Sequence, residues 1–132
     1  MEYISENHSK HLLMYHLIFV CNYRKKLLSE LGQDIKAEIE SIAIHYGWQI
    51  IEQEIDQDHI HILVRYSPKW SVLEIVRLFK QLTTYRIWQK HSEYLSRHFW
   101  KKRTFWSDGY FSCSIGNVSK EIVQKYIQTQ GS

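Results

Sequence analysis

The chain has 132 residues, 44% of them hydrophobic and 14% aromatic, with five glycines and one proline. That is material for one compact domain with a real core, and it excludes a low-complexity or disordered chain. The formal net charge of +3 permits a phosphate-bearing partner without demanding one, and no apolar run approaches the roughly 18 residues of a membrane span.

Residues 1–10 are polar and predict a loose arm without the charged-then-apolar pattern of a secretory leader. Residues 12–23 are apolar, β-branched and aromatic, and predict a long buried strand. Residues 31–46 carry Ile35, Ile39, Ile42 and Ala43 at helical spacing, with Gly47 as the stop. Residues 48–56 alternate as a second strand, in which Glu52, Glu54 and Asp56 share one face. Residues 57–58 turn into a third strand over residues 58–66, closed by Ser67 and Pro68. Ser71 followed by Glu74 has the form of a capping box, opening a helix to about His91. Residues 92–107 are basic, aromatic and irregular. Residues 110–115 predict a fourth strand. Residues 118–130 predict an amphipathic final helix capped by Asn117 or Ser119.

This order gives an α+β, ferredoxin-like (RRM-like) domain spanning residues 1–132: a four-stranded antiparallel sheet, two helices on one face, and an added C-terminal helix. Such a fold hosts many functions and decides none. Cys21 and Cys113 lie in predicted strands and in no metal or redox spacing, so reduced thiols and a cytoplasmic protein are expected.

The chemistry-bearing residues sit near the two ends of the pattern. His59 and His61 are two apart on a strand, so both imidazoles point to one face and offer a pair of nitrogens to one metal ion. Imidazole pairs suit several metals, and the plainer reading is two surface histidines. Tyr126 and Gln130 share a face of the last helix, with Tyr126 on the flank of an Ile122, Val123, Ile127 stripe. A tyrosine hydroxyl is a nucleophile when a metal polarises the electrophile, and Gln130 can lend an amide oxygen to the same ion. Tyr126 read alone is a core aromatic. Should Gln130 not serve, the acidic strand face of Glu52, Glu54 and Asp56, with Asp58, is the substitute. Lys101, Lys102 and Arg103, amid Phe99, Trp100 and Trp106, combine cations for a phosphate backbone with rings for unpaired bases. Arg77, Lys80, Arg86 and Lys90 add charge along the preceding helix, and Lys125 stands beside Tyr126 to steady a phosphate.

Four segments in this order resemble the small one-tyrosine HUH transposases of IS200/IS605-type insertion sequences. They are YHLIFVCNYR over residues 15–24, DHIHILV over 58–64, FWSDGYF over 105–111 with SIG over 114–116, and VQKYIQTQG over 123–131. The resemblance implies that Tyr126 attacks a scissile phosphate in single-stranded DNA. It would become joined to the 5′ end and leave a free 3′ hydroxyl. It implies that His59, His61 and Gln130 hold one divalent ion, Mg²⁺ or Mn²⁺, and that DNA hairpins at element ends are bound. It also implies a homodimer in which the tyrosine helix completes the partner's site. Two alternatives stand beside it: a related HUH nuclease, such as a repeat-associated transposase or a replication initiator, and a non-catalytic nucleic-acid-binding module.

Overall fold

The structure, a computed structural model, describes residues 12–115 and 120–130, the side chain of Lys120 excepted. The expected arm over residues 1–10 and the cap at Asn117 or Ser119 lie outside the described residues. The elements are strand β1 (Leu13–Val20), helix α1 (Leu28–Tyr46), strands β2 (Gln49–Ile55) and β3 (His59–Tyr66), helix α2 (Val72–Ser96), strand β4 (Phe111–Ser114) and helix α3 (Lys120–Thr129). The sheet runs β2-β3-β1-β4 with every neighbour antiparallel, which is the expected ferredoxin-like arrangement.

Alternation along the strands divides the sheet into two faces. Leu17 and Phe19 of β1, with Ile60, Ile62 and Val64 of β3, belong to one apolar cluster with Ile35, Ile39 and Ile42 of α1 and Ile75, Phe79 and Ile87 of α2. Phe79 touches both Phe19 and Trp48 by ring contacts. Burying each such ring contributes roughly 1.5–3 kcal/mol. The opposite face carries His16, Ile18 and Val20 of β1 against Leu63, His61 and His59 of β3. Ile18, Val20 and Leu63 are buried there, yet they stand outside the main cluster.

The helix ends follow the sequence signals. Gly47 takes a left-handed φ of 82° and ends α1, a conformation that a side chain would strain. Ser71 and Glu74 form the reciprocal capping box at the start of α2. Four details differ from expectation. Strand β1 stops at Val20, because Tyr23 and Arg24 adopt φ values of 58° and 51° in a short 3-10 turn. Helix α1 starts three residues early, where buried Leu28 donates its N–H to the Gln57 carbonyl. Helix α2 continues past His91, which leaves helical geometry (φ −132°, ψ 39°) beside a contact with Asp34. Strand β2 carries a bulge between Ile50 and Glu52, so Ile50 pairs with Val64 on the core face while Glu52 and Glu54 meet Leu63 and His61 on the other. Simple alternation puts Ile50 on the glutamate face instead. Both cysteines are free thiols; Cys21 is buried just beyond β1, and Cys113 is half-buried in β4. Among the described residues no helix is long and apolar enough to cross a membrane.

Candidate active site

The histidine strand β3 is central, flanked by β1 and β2, so its backbone is held on both sides. Ile60 and Ile62 are buried in the core, which forces His59 and His61 to the other face, half-buried. Asp58 Oδ1 lies 2.9 Å from His59 Nδ1, and Arg24 Nε lies 3.6 Å from the other oxygen of Asp58. The carboxylate fixes the ring and leaves Nε2 as the nitrogen to meet an electrophile or ion, as outer-sphere carboxylates do for metal-binding imidazoles. His61 Nε2 lies 2.7 Å from His16 Nδ1. Burial, then the neighbouring His16, pulls the His61 pKa below its ordinary value, against an opposing pull from Glu54 and Glu52. His61 is therefore a neutral ring near pH 7, the form that binds metals.

Helix α3 lies over the same face. Ile18 pairs with His61 on one side and with Phe111 on the other, so these three side chains form a row across β3, β1 and β4. The Tyr126 ring stands 5.8 Å from the Phe111 ring at the end of that row. Val123, Tyr126 and Ile127 of the helix and Gln130 just beyond its end are half-buried, at the spacing i, i+3, i+4, i+7 of a single face. Ile122 is 49% exposed. Tyr126 is thus central to the inward stripe, not on its flank as the sequence stripe suggests. Its hydroxyl is buried and has no hydrogen-bond partner among the described residues. Burial pushes its pKa up to about 12, so the phenol is protonated at neutral pH. Gln130 sets its amide oxygen 3.3 Å from the place a Cβ would occupy on Gly109, which turns at φ 82°. Gly109 belongs to the loop before β4, and Ser107 of that loop donates its N–H to the Val20 carbonyl, opposite His59.

Among the described residues no three or more histidine, cysteine, aspartate or glutamate side chains cluster as a metal cage. Glu54 of the acidic strand pairs directly across from His61. Among the described residues the donors on this face therefore include the imidazoles of His16, His59 and His61, the Gln130 amide, and the carboxylates of Glu52 and Glu54.

The expected cations fall into three situations. Arg77, Lys101, Lys102, Arg103 and Lys125 are exposed. Arg86 is bound to Glu38 of α1 at 3.1 Å, a carboxylate that Lys90 also grips at 2.8 Å. Lys80 directs two of its three donors to the carbonyls of Ser107 (2.7 Å) and Gly109 (2.5 Å). Open clefts border the basic segment. One of about 480 Å³ is lined by Lys80, Tyr85, Trp88 and Arg103, and one of about 450 Å³ by Tyr23, Lys25, Trp100, Lys101 and Lys102. Trp100 is 79% exposed and Tyr23 63%, so flat rings stand free beside cations. Neither cleft is lined by His59, His61 or Tyr126.

Sequence reasoning finds no role for His16, Phe111, Gly109, or Asp58 as the orienting partner of His59. Pairing register brings His16 and Phe111 to the site, and a single sequence does not state register.

The family model described as "Transposase IS200 like" matches residues 9–130. The ISDra2 transposase TnpA of Deinococcus radiodurans is 27% identical over 119 residues, which are 89% of this chain and 84% of that protein. The transposase of insertion sequence IS200 from Salmonella typhimurium is 25% identical over 124 residues, 93% of this chain and 80% of that protein. Two solved structures share the fold. A candidate transposase from Deinococcus radiodurans R1 superposes with a TM-score of 0.87 at 21% identity, covering 98% of this chain and 99% of its own. A REP-associated tyrosine transposase bound to a REP hairpin gives 0.59 at 13% identity, covering 96% and 68%.

Proposed function

The chain belongs to the IS200-like transposase family, and on that premise we propose that it cuts and rejoins single-stranded DNA through a covalent bond to Tyr126. The observation that carries the reading is the row His61, Ile18, Phe111 across the sheet, with the Tyr126 ring over its end. It brings a buried phenol to the sheet face that holds two oriented imidazoles.

In this reading the Tyr126 oxygen attacks the scissile phosphorus as its phenolic proton leaves. The bond to the 3′ oxygen breaks, and that oxygen departs as a hydroxyl after taking up a proton. The product is a 5′-phosphotyrosine, which conserves the phosphodiester for rejoining when a 3′ hydroxyl attacks in turn. A phenol with its pKa pushed to about 12 is a poor nucleophile by itself, so the site must help it lose its proton.

The donor set fits a single divalent cation. His59 would offer Nε2, since Asp58 holds Nδ1. His61 Nε2 faces His16, so taking an ion through that nitrogen requires His16 to give way. Gln130 would add its amide oxygen, and Glu54 is the nearest acidic substitute from the opposite strand. Mg²⁺ or Mn²⁺ held there would polarise the phosphodiester and stabilise the leaving oxygen. The exposed Lys101, Lys102, Arg103, Arg77 and Lys125 would follow the phosphate backbone, and Trp100 and Tyr23 would stack on unpaired bases. A hairpin ligand is proposed from the fold shared with the hairpin-bound REP-associated enzyme. A homodimer exchanging α3 is proposed as the working assembly.

The test is incubation of the protein with single-stranded DNA from the flanks of its gene, with Mg²⁺ or Mn²⁺, then a denaturing gel. A metal-dependent protein–DNA adduct is expected, and it should vanish in Tyr126→Phe and in His61→Ala. An adduct that persists in Tyr126→Phe places the nucleophile elsewhere. Tight binding without any adduct leaves a nucleic-acid-binding module.

A further inference from the structure

We propose that Lys80 is a positioning residue for Gln130, acting through the backbone of the loop over residues 107–109 and not through a phosphate. The inference rests on the reading of Gln130 as a metal ligand. A lysine ammonium carries three donors. The Lys80 ammonium gives two of them to carbonyls of one short loop, Ser107 at 2.7 Å and Gly109 at 2.5 Å, and lies 5.8 Å from the Phe19 ring centroid. Carbonyls two residues apart face the same side of an extended segment, so a single ammonium can hold both. The chain then turns at Gly109, whose left-handed φ of 82° is open to glycine and strained for most other residues.

The same loop is what α3 rests on. Gly109 lies against the Gln130 amide oxygen, at 3.3 Å from its would-be Cβ. Two residues on, Phe111 lies under Tyr126. The other side of the loop is fastened to β1, where the Ser107 N–H meets the Val20 carbonyl at 2.8 Å, across from His59. Lys80 therefore joins α2 to a segment that carries two contacts of the C-terminal segment, Gly109 with Gln130 and Phe111 with Tyr126. Without its ammonium the two carbonyls lose their common partner and the seat of Gln130 is no longer fixed. Groups that orient a metal ligand from behind are typically worth about 10–100-fold in metal affinity.

The experiment measures Mn²⁺ binding to the full chain by the electron paramagnetic resonance signal of free Mn²⁺. The variants are Gln130→Ala, Lys80→Met and Gly109→Ala, with hairpin-DNA affinity and thermal unfolding recorded alongside. Lys80→Met is expected to weaken Mn²⁺ binding about 10–100-fold, as Gln130→Ala does, while hairpin affinity stays near that of the parent. Gly109→Ala, which leaves Lys80 in place but intrudes on Gln130, is expected to do the same and decides the matter should Lys80→Met not fold. Wild-type Mn²⁺ affinity in either variant, with Gln130→Ala impaired, overturns the positioning role. Hairpin affinity falling with Mn²⁺ affinity in Lys80→Met also overturns it and returns Lys80 to the phosphate backbone. Wild-type Mn²⁺ affinity in Gln130→Ala removes Gln130 from the metal site, and the inference with it.

Discussion

His16 Nδ1 and His61 Nε2 face each other at 2.7 Å, so one ring donates an N–H and the other accepts it. The accepting ring must be neutral. His61 has its pKa depressed by burial and by His16. A depressed imidazole pKa means that folding favours the neutral form. Its contribution to stability is whole above the unfolded value of about 6.5 and is lost as pH falls from there through the folded value. The urea midpoint of the parent should fall between about pH 7.5 and 5.5 more steeply than that of His61→Gln. Parallel falls in the two proteins would assign the acid sensitivity to other groups.

Tyr126→Phe should separate chemistry from folding. The substitution removes a buried hydroxyl that has no hydrogen-bond partner among the described residues, and leaves the ring against Phe111. An unpaired buried polar group costs about 1–3 kcal/mol, so the variant should be at least as stable as the parent in urea while forming no DNA adduct. A clear loss of stability would mean that the hydroxyl has a partner in solution.

Alkaline pH offers a second reading of the same residue. Burial raises the Tyr126 pKa to about 12, so its neutral form is favoured in the folded chain. That contribution is present below the unfolded value of about 10 and is lost as pH rises from there toward about 12. Tyr66, raised to about 12 by burial and then by Tyr15 and Tyr110, behaves alike. Tyr126→Phe should therefore lose less stability than the parent between about pH 9 and 11, as read from thermal unfolding.

The exposed cations and the paired ones should answer differently to removal. Replacing Lys101, Lys102 and Arg103 by Ala should weaken hairpin binding. It should also flatten the salt dependence by about 1 in log–log slope for each phosphate that these side chains neutralise. Arg86→Ala should chiefly lower stability, by about 1 kcal/mol, because it strips one partner from Glu38, a buried carboxylate between α1 and α2. A flattened salt slope in Arg86→Ala would mean that the arginine leaves Glu38 for DNA.

The sequence declares what period and local chemistry encode. The capping box at Ser71 and Glu74, the glycine stop at Gly47 and the common face of His59 and His61 all depend on neighbours within a few residues. It is silent wherever distant segments decide. The early end of β1 comes from left-handed Tyr23 and Arg24, positions where no glycine warns of a turn. The bulge after Ile50 changes which residues accompany Glu52. Weighting isoleucines as core puts Tyr126 on the flank of its helix, whereas the sheet beneath selects Val123, Tyr126, Ile127 and Gln130. Lys80 looks like the other helix cations because only the fold brings loop carbonyls to it.

Strand β3 divides its residues between two faces: Ile60 and Ile62 sustain the core, while His59 and His61 stand on the face of the proposed reaction. Substitution can therefore tune one face without touching the other. Insertion or deletion cannot. A single residue gained or lost between Asp58 and His61 would exchange the faces, sinking imidazoles into oil and lifting isoleucine into water in one event. Folding alone thus guards the spacing of the two histidines, whatever the residue between them becomes.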